Sequence, residues 1–259
     1  MSDIDLFKGE CLEIMQGMVD LGIKVDAIIT DPPYGTTACK WDSVIPFEPM
    51  WEQLHRIIKP NGAIVLFGSE PFSSALRMSN IKNFRDDIIW LKNKGGSGFG
   101  AKQKHIKVHE NIIVFSKSSK YQYLPQKWGV TDKEFLTKRK TFKEVEFGNT
   151  IYAKSVRKYK KDDGTRNPFS IICYPVPIPQ AKTKTYKFDI NARVHPTQKP
   201  VELMEYLIKT YTNEGETVLD FTMGSGSTGV AAKNLNRNFI GIEQDDKYFE
   251  IAKNRINEN

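Results

Sequence analysis

Six short runs of β-branched and apolar residues punctuate the 259-residue chain: VDAIIT (25–30), GAIVLFG (62–68), DDIIWL (86–91), NIIVFS (111–116), TVLDF (217–221) and NFIGIE (238–243). Runs so short and so continuously apolar suit strands buried on both faces. Between several of them, FEPMWEQLHRII, PFSSALRMS, PVELMEYLIKTYT, STGVAAKNLN and DDKYFEIAKNRI carry apolar residues three and four apart, often behind a cap or an early proline. Strand and helix alternating in this way predict a doubly wound α/β fold, a mostly parallel sheet covered by helices on both faces. The length suits one large domain carrying an inserted lobe.

The alternation breaks between Ser116 and Arg193, a stretch rich in Lys, Tyr, Phe and Thr with weak periodicity. It holds 18 Lys and Arg against 7 Asp and Glu, so its excess of positive charge is larger than the +7 of the whole chain. Lys138-Arg139-Lys140 and the run Arg157-Lys158-Tyr159-Lys160-Lys161 are interleaved with Tyr121, Tyr123, Trp128 and Tyr152. Cationic groups beside stackable rings suit phosphate and base contacts, which points to a nucleic-acid partner for residues 117–193. Residues 1–116 and 194–259 then form the catalytic and cofactor domain. Gly95-Gly96-Ser97-Gly98-Phe99-Gly100, flanked by Lys92, Lys94, Lys102, Lys104 and Lys107, reads equally well as a basic lid and as an ordinary loop.

Other classes of protein fit poorly. No apolar run approaches a membrane span, and the opening MSDIDLFKGECLEIM lacks the layout of a signal peptide, so a soluble, cytoplasmic protein is expected. Cys11, Cys39 and Cys173 lie far apart and do not fall at zinc-ligand spacing with His55, His105, His109 and His195. Neither disulfides nor a metal is expected.

Two strand ends carry the chemistry. Gly224-Ser225-Gly226-Ser227-Thr228-Gly229 follows the strand TVLDF and opens the helix STGVAAKNL, the context in which a G-x-G-x-x-G pattern lets backbone approach a nucleotide-like ligand. Glu243 ends the next strand, where a carboxylate can accept hydrogen bonds from ribose hydroxyls. Alone, this fits a nicotinamide or flavin as well as S-adenosylmethionine. Asp220, four positions before the first glycine, discriminates: a carboxylate there repels a pyrophosphate and attracts a cofactor carrying an ammonium and a sulfonium.

Asp31-Pro32-Pro33-Tyr34 follows VDAIIT directly and falls at that strand's carboxyl end. The prolines remove two backbone donors and stiffen the turn, leaving the Asp31 carboxylate and the Pro32 carbonyl as neighbouring acceptors. An exocyclic base amine is a poor nucleophile because its lone pair is delocalised into the ring. Accepting both of its hydrogens favours a tetrahedral nitrogen with its lone pair aimed at a methyl donor. Tyr34 offers a flat face for stacking on the base, which must first leave the duplex.

With these residues in hand, the chain resembles the amino-methyltransferases of DNA, specifically the permuted β class. In that group the catalytic motif comes first, target recognition lies in the middle and the cofactor loop comes last. Here Asp31-Pro32-Pro33-Tyr34 is followed by the basic segment and then by Val218-Leu219-Asp220-Phe221-Thr222-Met223-Gly224-Ser225-Gly226-Ser227. The resemblance covers nearly all of the chain outside the basic insertion. It implies a Rossmann-like methyltransferase sheet, S-adenosylmethionine as cofactor and DNA as substrate; a homodimer and a cognate restriction endonuclease are further partners it allows. His195-Pro196-Thr197-Gln198-Lys199-Pro200 is similar to the family segment that holds the methionine end of the cofactor, which implicates Thr197 and assigns Lys199 to its carboxylate. The family usually has D-P-F-x-G-S-G where this chain has Asp220-Phe221-Thr222-Met223-Gly224, a departure that bears on the rigidity of the turn. It often has Gly-Asp where Gly9-Glu10-Cys11 stands here, and Glu10 is the expected adenine contact.

The resemblance therefore implies Asp31, Pro32, Pro33 and Tyr34 as catalytic residues, and Glu10, Thr197, Lys199, Asp220, Phe221, Gly224, Ser225, Gly226, Thr228 and Glu243 as cofactor-binding ones. Aspartate at the first motif position usually accompanies adenine N6 methylation and serine cytosine N4 methylation, so Asp31 favours adenine. Cytosine N4 methylation, a dinucleotide oxidoreductase and a catalytically silent DNA-binding subunit remain the alternatives.

Overall fold

The expected strands form because their alternate residues find apolar partners on both sides. The computed structural model describes residues 2–36, 42–92, 101–129, 165–174 and 198–258. The described residues divide into two compact units, one of residues 1–124 with 170–259 and the other of residues 125–169.

In the larger unit the elements run β1 (Ile4–Lys8), α1 (Cys11–Asp20), β2 (Val25–Thr30), α2 (Phe47–Ile57), β3 (Ile58–Gly68), α3 (Phe72–Ser79), β4 (Phe84–Leu91) and β5 (His109–Phe115). The small unit contributes β6 (Trp128–Gly129) and β7 (Thr165–Arg166). Then follow β8 (Ile171–Cys173), α4 (Val201–Tyr211), β9 (Thr217–Asp220), α5 (Ser227–Asn234), β10 (Asn238–Glu243) and α6 (Asp246–Glu258). The sheet of the larger unit has the order β1-β10-β9-β2-β3-β5-β4-β8. From β1 to β3 all pairs are parallel; β5 runs antiparallel to both β3 and β4, and β4 pairs parallel with β8. The mostly parallel sheet read from the sequence is thus present. β8 joins it from within residues 117–193.

Successive residues of the central strands serve opposite layers. Ala27, Ile29, Ala63, Val65 and Phe67 pack with Leu203, Leu207, Ala231 and Ile256 of α4, α5 and α6. Ile28, Ile64 and Leu66 pack with Met15, Leu54 and Leu76 of α1, α2 and α3. Each helix layer therefore removes one face of the same strands from water. β3 begins four residues before the run GAIVLFG, because Lys59-Pro60-Asn61 is taken up as an irregularity: Ile58 lies opposite Val25 and Ala63 opposite Ala27.

Gly226 shows how tightly α6 closes on the cofactor loop. It caps α5 at φ +79°, and a Cβ there would lie 2.9 Å from Ala252 Cβ and 3.0 Å from Ala252 Cα. A left-handed alanine costs roughly 1–2 kcal/mol and overpacking adds a comparable amount. Gly226→Ala is therefore expected to lose about 2 kcal/mol or more, read as a lower urea midpoint with an unchanged m-value.

In the small unit β6 and β7 pair antiparallel, the Trp128 indole N–H donates to the Asn167 carbonyl at 3.3 Å, and the Trp128 and Phe169 rings lie 5.7 Å apart. Tyr121 and Tyr123 belong to the larger unit, where both rings pack on Tyr211 of α4. That packing gives these two rings a structural role that the sequence did not show. Lys138-Arg139-Lys140, the run 157–161, Tyr152 and the glycines of 95–100 lie outside the described residues, as do His195 and Thr197. No helix among the described residues is long and apolar enough to cross a membrane.

Candidate active site

β9 and β2 are adjacent, yet the chain leaves them in opposite directions: β9 leads through α5 to β10 on one side, β2 through α2 to β3 on the other. Such a reversal opens a crevice beyond the carboxyl ends of the two strands, where open α/β sheets bind ligands. Asp31-Pro32-Pro33-Tyr34 and Asp220-Phe221-Thr222 leave those two ends. Both line one cavity of about 590 Å³, together with Glu10, Lys199, Gly224, Ser225, Thr228 and Glu243. Gly226 does not line it; its missing side chain serves α6.

Side-chain contacts tie the two strand ends together. Asp220 is buried and saturated: one oxygen accepts from the Thr228 hydroxyl at 2.6 Å, the other from the Thr30 hydroxyl and from the Thr222 amide at 3.2 Å. Thr222 Oγ1 sits 2.8 Å from Thr30 Oγ1 and 3.2 Å from the Asp31 carbonyl. A hydroxyl carries one proton, so with Thr30 donating to Asp220, Thr222 donates either to Thr30 or to Asp31. The departure from the family's D-P-F pattern is thus accompanied by a threonine whose hydroxyl bridges the end of β9 to the Asp31–Tyr34 turn. Burial pushes the Asp220 carboxyl up to about 6, against the pull of the Thr228 and Thr30 hydroxyls and the Thr222 amide.

Glu243 braces the glycine loop from the neighbouring strand, accepting from the Gly224 amide at 2.8 Å and the Asp245 amide at 2.9 Å. The carbonyl and hydroxyl of Ser225 both accept from the Arg255 guanidinium. Glu10 is the N-cap of α1, accepting from the Glu13 amide at 2.9 Å while lining the cavity. Phe221 puts its ring into the core on the α1–α3 side and adds only a wall.

Around the Asp31–Tyr34 turn, the Tyr34 ring stacks on Phe72 with centroids 5.1 Å apart, and its hydroxyl donates to the Asp31 carboxylate. Burial, with Asp31 and Glu110 beside it, holds that phenol well above its usual range, so it remains a donor. Lys199 is 7% exposed and places its ammonium against Asp31 and, at 3.4 Å, Glu110; Glu110 also pairs with Lys92.

Two residues of this arrangement escaped sequence reasoning. Asp42 is buried and accepts from the backbone amides of Tyr34 at 2.8 Å, Gly35 at 2.9 Å and Thr36 at 2.9 Å, holding the turn from beyond residues 37–41. No motif spacing announces it. A hydrogen bond to a carboxylate contributes about 1.5–3 kcal/mol, and here three amides of a partly exposed turn share one buried acceptor. Asp42→Ala is accordingly expected to lower stability by about 2 kcal/mol, seen as a fall in Tm of several degrees. Glu110 is the second residue of β5, and because β5 is antiparallel its first residues reach the same edge of the sheet as the carboxyl ends of β2 and β3. A reading that looks for chemistry only after parallel strands passes over it.

The cavity lining carries seven carboxylates and one lysine among the described residues. That balance suits a cationic ligand and opposes a pyrophosphate, which weighs against a dinucleotide.

Fold and site together define a Rossmann-like α/β enzyme with a nucleoside-type cleft at its switch point. The chain belongs to the DNA methylase family, whose model matches residues 25–254. Among its relatives, the Type II methyltransferase M.HpaI of Haemophilus parainfluenzae is 28% identical over 245 residues, covering 90% of this chain and 68% of that protein. The Type II methyltransferase M.HinfI of Haemophilus influenzae is 25% identical over 282 residues, covering 98% and 68%. The crystal structure of the M1.HpyAVI-SAM complex superposes with a TM-score of 0.63 at 29% identity, covering 98% of this chain and 99% of that one. The cytosine-N4-specific PvuII DNA methyltransferase shares the fold, with a TM-score of 0.65 at 14% identity over 98% and 86% of the two chains.

Proposed function

We propose that the protein transfers a methyl group from S-adenosylmethionine to the N6 amine of an adenine flipped out of double-stranded DNA. The observation that carries this reading is the meeting of Asp31-Pro32-Pro33-Tyr34 and Asp220 at adjacent strand ends in one carboxylate-lined cavity. The residues fit that cofactor by their chemistry. Asp220 and the other carboxylates suit its two positive centres, Glu243 suits the ribose, Glu10 the adenine, and Gly224 and Ser225 let backbone come close. The Ser227 hydroxyl, buried at the start of α5 with no hydrogen-bond partner among the described residues, suits the methionine carboxylate.

S-adenosylmethionine supplies an electrophilic methyl group on a sulfonium. The Asp31 carboxylate and the Pro32 carbonyl accept the two amine hydrogens, which localises the nitrogen lone pair. That lone pair forms the N–CH3 bond while the S–CH3 electron pair returns to sulfur, leaving a neutral thioether. The methylated nitrogen is then cationic and acidic, and it gives one proton to water without a dedicated base. Tyr34, backed by Phe72, stacks on the base.

Residues 117–193 are the target-recognition region in this reading, supported by their charge and rings. A cognate restriction endonuclease and a cytoplasmic location follow the Type II names of the relatives, and sedimentation of the purified protein reads whether two copies associate. Incubation with labelled S-adenosylmethionine and unmethylated genomic DNA, followed by digestion to nucleosides and mass analysis, tests the assignment. N6-methyladenine is expected, and N4-methylcytosine as the sole product would overturn it.

A further inference from the structure

We propose that Lys199, clamped by Glu110, is a positioning residue that orients the Asp31 carboxylate and keeps it anionic toward the base amine, and is not a ligand of the cofactor carboxylate. This rests on the methyl-transfer reading of Asp31. The ammonium of Lys199 already meets two carboxylates, and it lies 4.9 Å from the centroid of the Phe67 ring and 6.0 Å from that of Trp90. Two carboxylates already outweigh the single positive charge of a side chain that is 7% exposed, so a third would be repelled.

The same contacts fix Asp31 from both sides. Tyr34 donates to Oδ1 and Lys199 to Oδ2. A carboxylate has about four acceptor positions, so after these two bonds it can still accept from an amine whose direction is now set. Glu110 in turn prevents Lys199 from swinging away. Its Oε2 faces the ammonium at 3.4 Å, while its Oε1 is taken by Lys92.

The charges facing Asp31 come from several elements. Burial pushes its carboxyl up, Lys199 pulls it back down, Glu110 pushes it up again, and the Tyr34 hydroxyl lowers it. Asp220 on β9 and Asp42 beside Tyr34 add negative charge, and Lys92 and Lys107 act on Glu110. Burial lowers Lys199, but Asp31 and Glu110 more than offset it, so Lys199 stays a cation.

Two titrations make the proposal testable. In Lys199→Gln the Asp31 carboxyl loses its cation and is expected to titrate roughly one to three pH units higher. In the isosteric Glu110→Gln the release of Lys199 from its clamp is expected to raise the Asp31 carboxyl as well, by less than in Lys199→Gln because a neighbouring anion is lost at the same time. Carboxyl 13C NMR of the full-length protein reads both, with the Asp31 signal assigned by its loss in Asp31→Asn. S-adenosylmethionine affinity by calorimetry is expected to be unchanged or tighter in Lys199→Gln, while methyl transfer falls about tenfold or more through kcat. An affinity for S-adenosylmethionine weakened tenfold with Asp31 titrating as before would overturn the proposal and return Lys199 to the cofactor. Should Lys199→Gln fail to fold, Glu110→Gln decides: an upward shift supports the clamp, and no shift or a downward one, the response to a bare neighbouring anion, overturns it. Wild-type protein that transfers no methyl group would refute the underlying reading instead, and the titrations would still judge the pairing of Lys199 with Asp31.

Discussion

Asp31→Ala is expected to reduce methyl transfer into DNA about a thousandfold or more while the protein still folds and still binds both DNA and cofactor. The argument is differential. The amine in its ground state is planar and needs little from Asp31, whereas the tetrahedral nitrogen approaching the methyl group needs an acceptor for each hydrogen. Removing one preorganised hydrogen-bonding group from a site of developing charge typically costs two to three orders of magnitude in rate. Here the loss is compounded, because Asp31 also anchors Tyr34 and Lys199. Folding should survive, since Lys199 keeps Glu110 as an ion-pair partner at 3.4 Å and Asp42 still holds the amides of the turn. Asp31→Asn is expected to be nearly as poor: it preserves the shape but presents an amide N–H2 either to the Lys199 ammonium or to the amine. Single-turnover transfer from labelled cofactor, alongside a DNA mobility shift, separates chemistry from binding. Transfer within tenfold of wild type in Asp31→Ala would sink the role assigned to this carboxylate.

The same residues show where sequence reasoning reaches and where it stops. Strands β2, β9 and β10 were legible because buried parallel strands are continuous apolar runs, and their ends therefore located Asp31, Asp220 and Glu243. That the first two share a crevice follows from strand order, which only the pairing of β9 with β2 reveals. β1 escaped notice because an edge strand alternates half-buried and exposed residues in only five positions. α1 is capped by a glutamate rather than one of the commoner capping residues.

Polar partnerships were the least legible. A lysine beside a proline turn carries no mark of whether it will meet a bound carboxylate or two from its own chain, and Lys199 meets the latter. Glu110 was hidden by the reversed direction of β5, and Asp42 by the five residues that separate it from the turn it holds. In each case the missing information is tertiary: which groups are brought within about 3 Å depends on sheet order and strand direction, neither of which periodicity encodes. Tyr121 and Tyr123 show the converse, since rings that suit nucleic-acid stacking equally suit packing on Tyr211.

Asp220 is expected to make stability and cofactor affinity respond to pH in opposite directions, and Asp220→Asn to abolish its share of both. With the folded-state carboxyl pushed up to about 6 and the unfolded one near 3.8, the native protein binds the extra proton between those values. Stability therefore falls as pH rises from about 4 to 6, by roughly 3 kcal/mol from this group, and is flat above. A cation in the cleft requires the ionised form, so the affinity for S-adenosylmethionine should weaken about tenfold for each pH unit below 6 and be constant above 7. Asparagine is nearly isosteric: its oxygen can still accept from the Thr30 hydroxyl and the Thr222 amide, and its NH2, in place of the other carboxylate oxygen, can donate to a Thr228 hydroxyl turned to accept, so all three contacts keep a partner. At neutral pH it also removes the cost of burying an anion, and Asp220→Asn should be no less stable than wild type there. Its cofactor affinity should nonetheless drop about a hundredfold at pH 7.5, since a charge partner is lost from a desolvated site. Calorimetric titrations from pH 5 to 8 beside urea melts over the same range would expose the pair of slopes. An affinity that stays pH-dependent in Asp220→Asn would assign the titrating group elsewhere, to Glu243 or Asp31, whose carboxyls burial also pushes up.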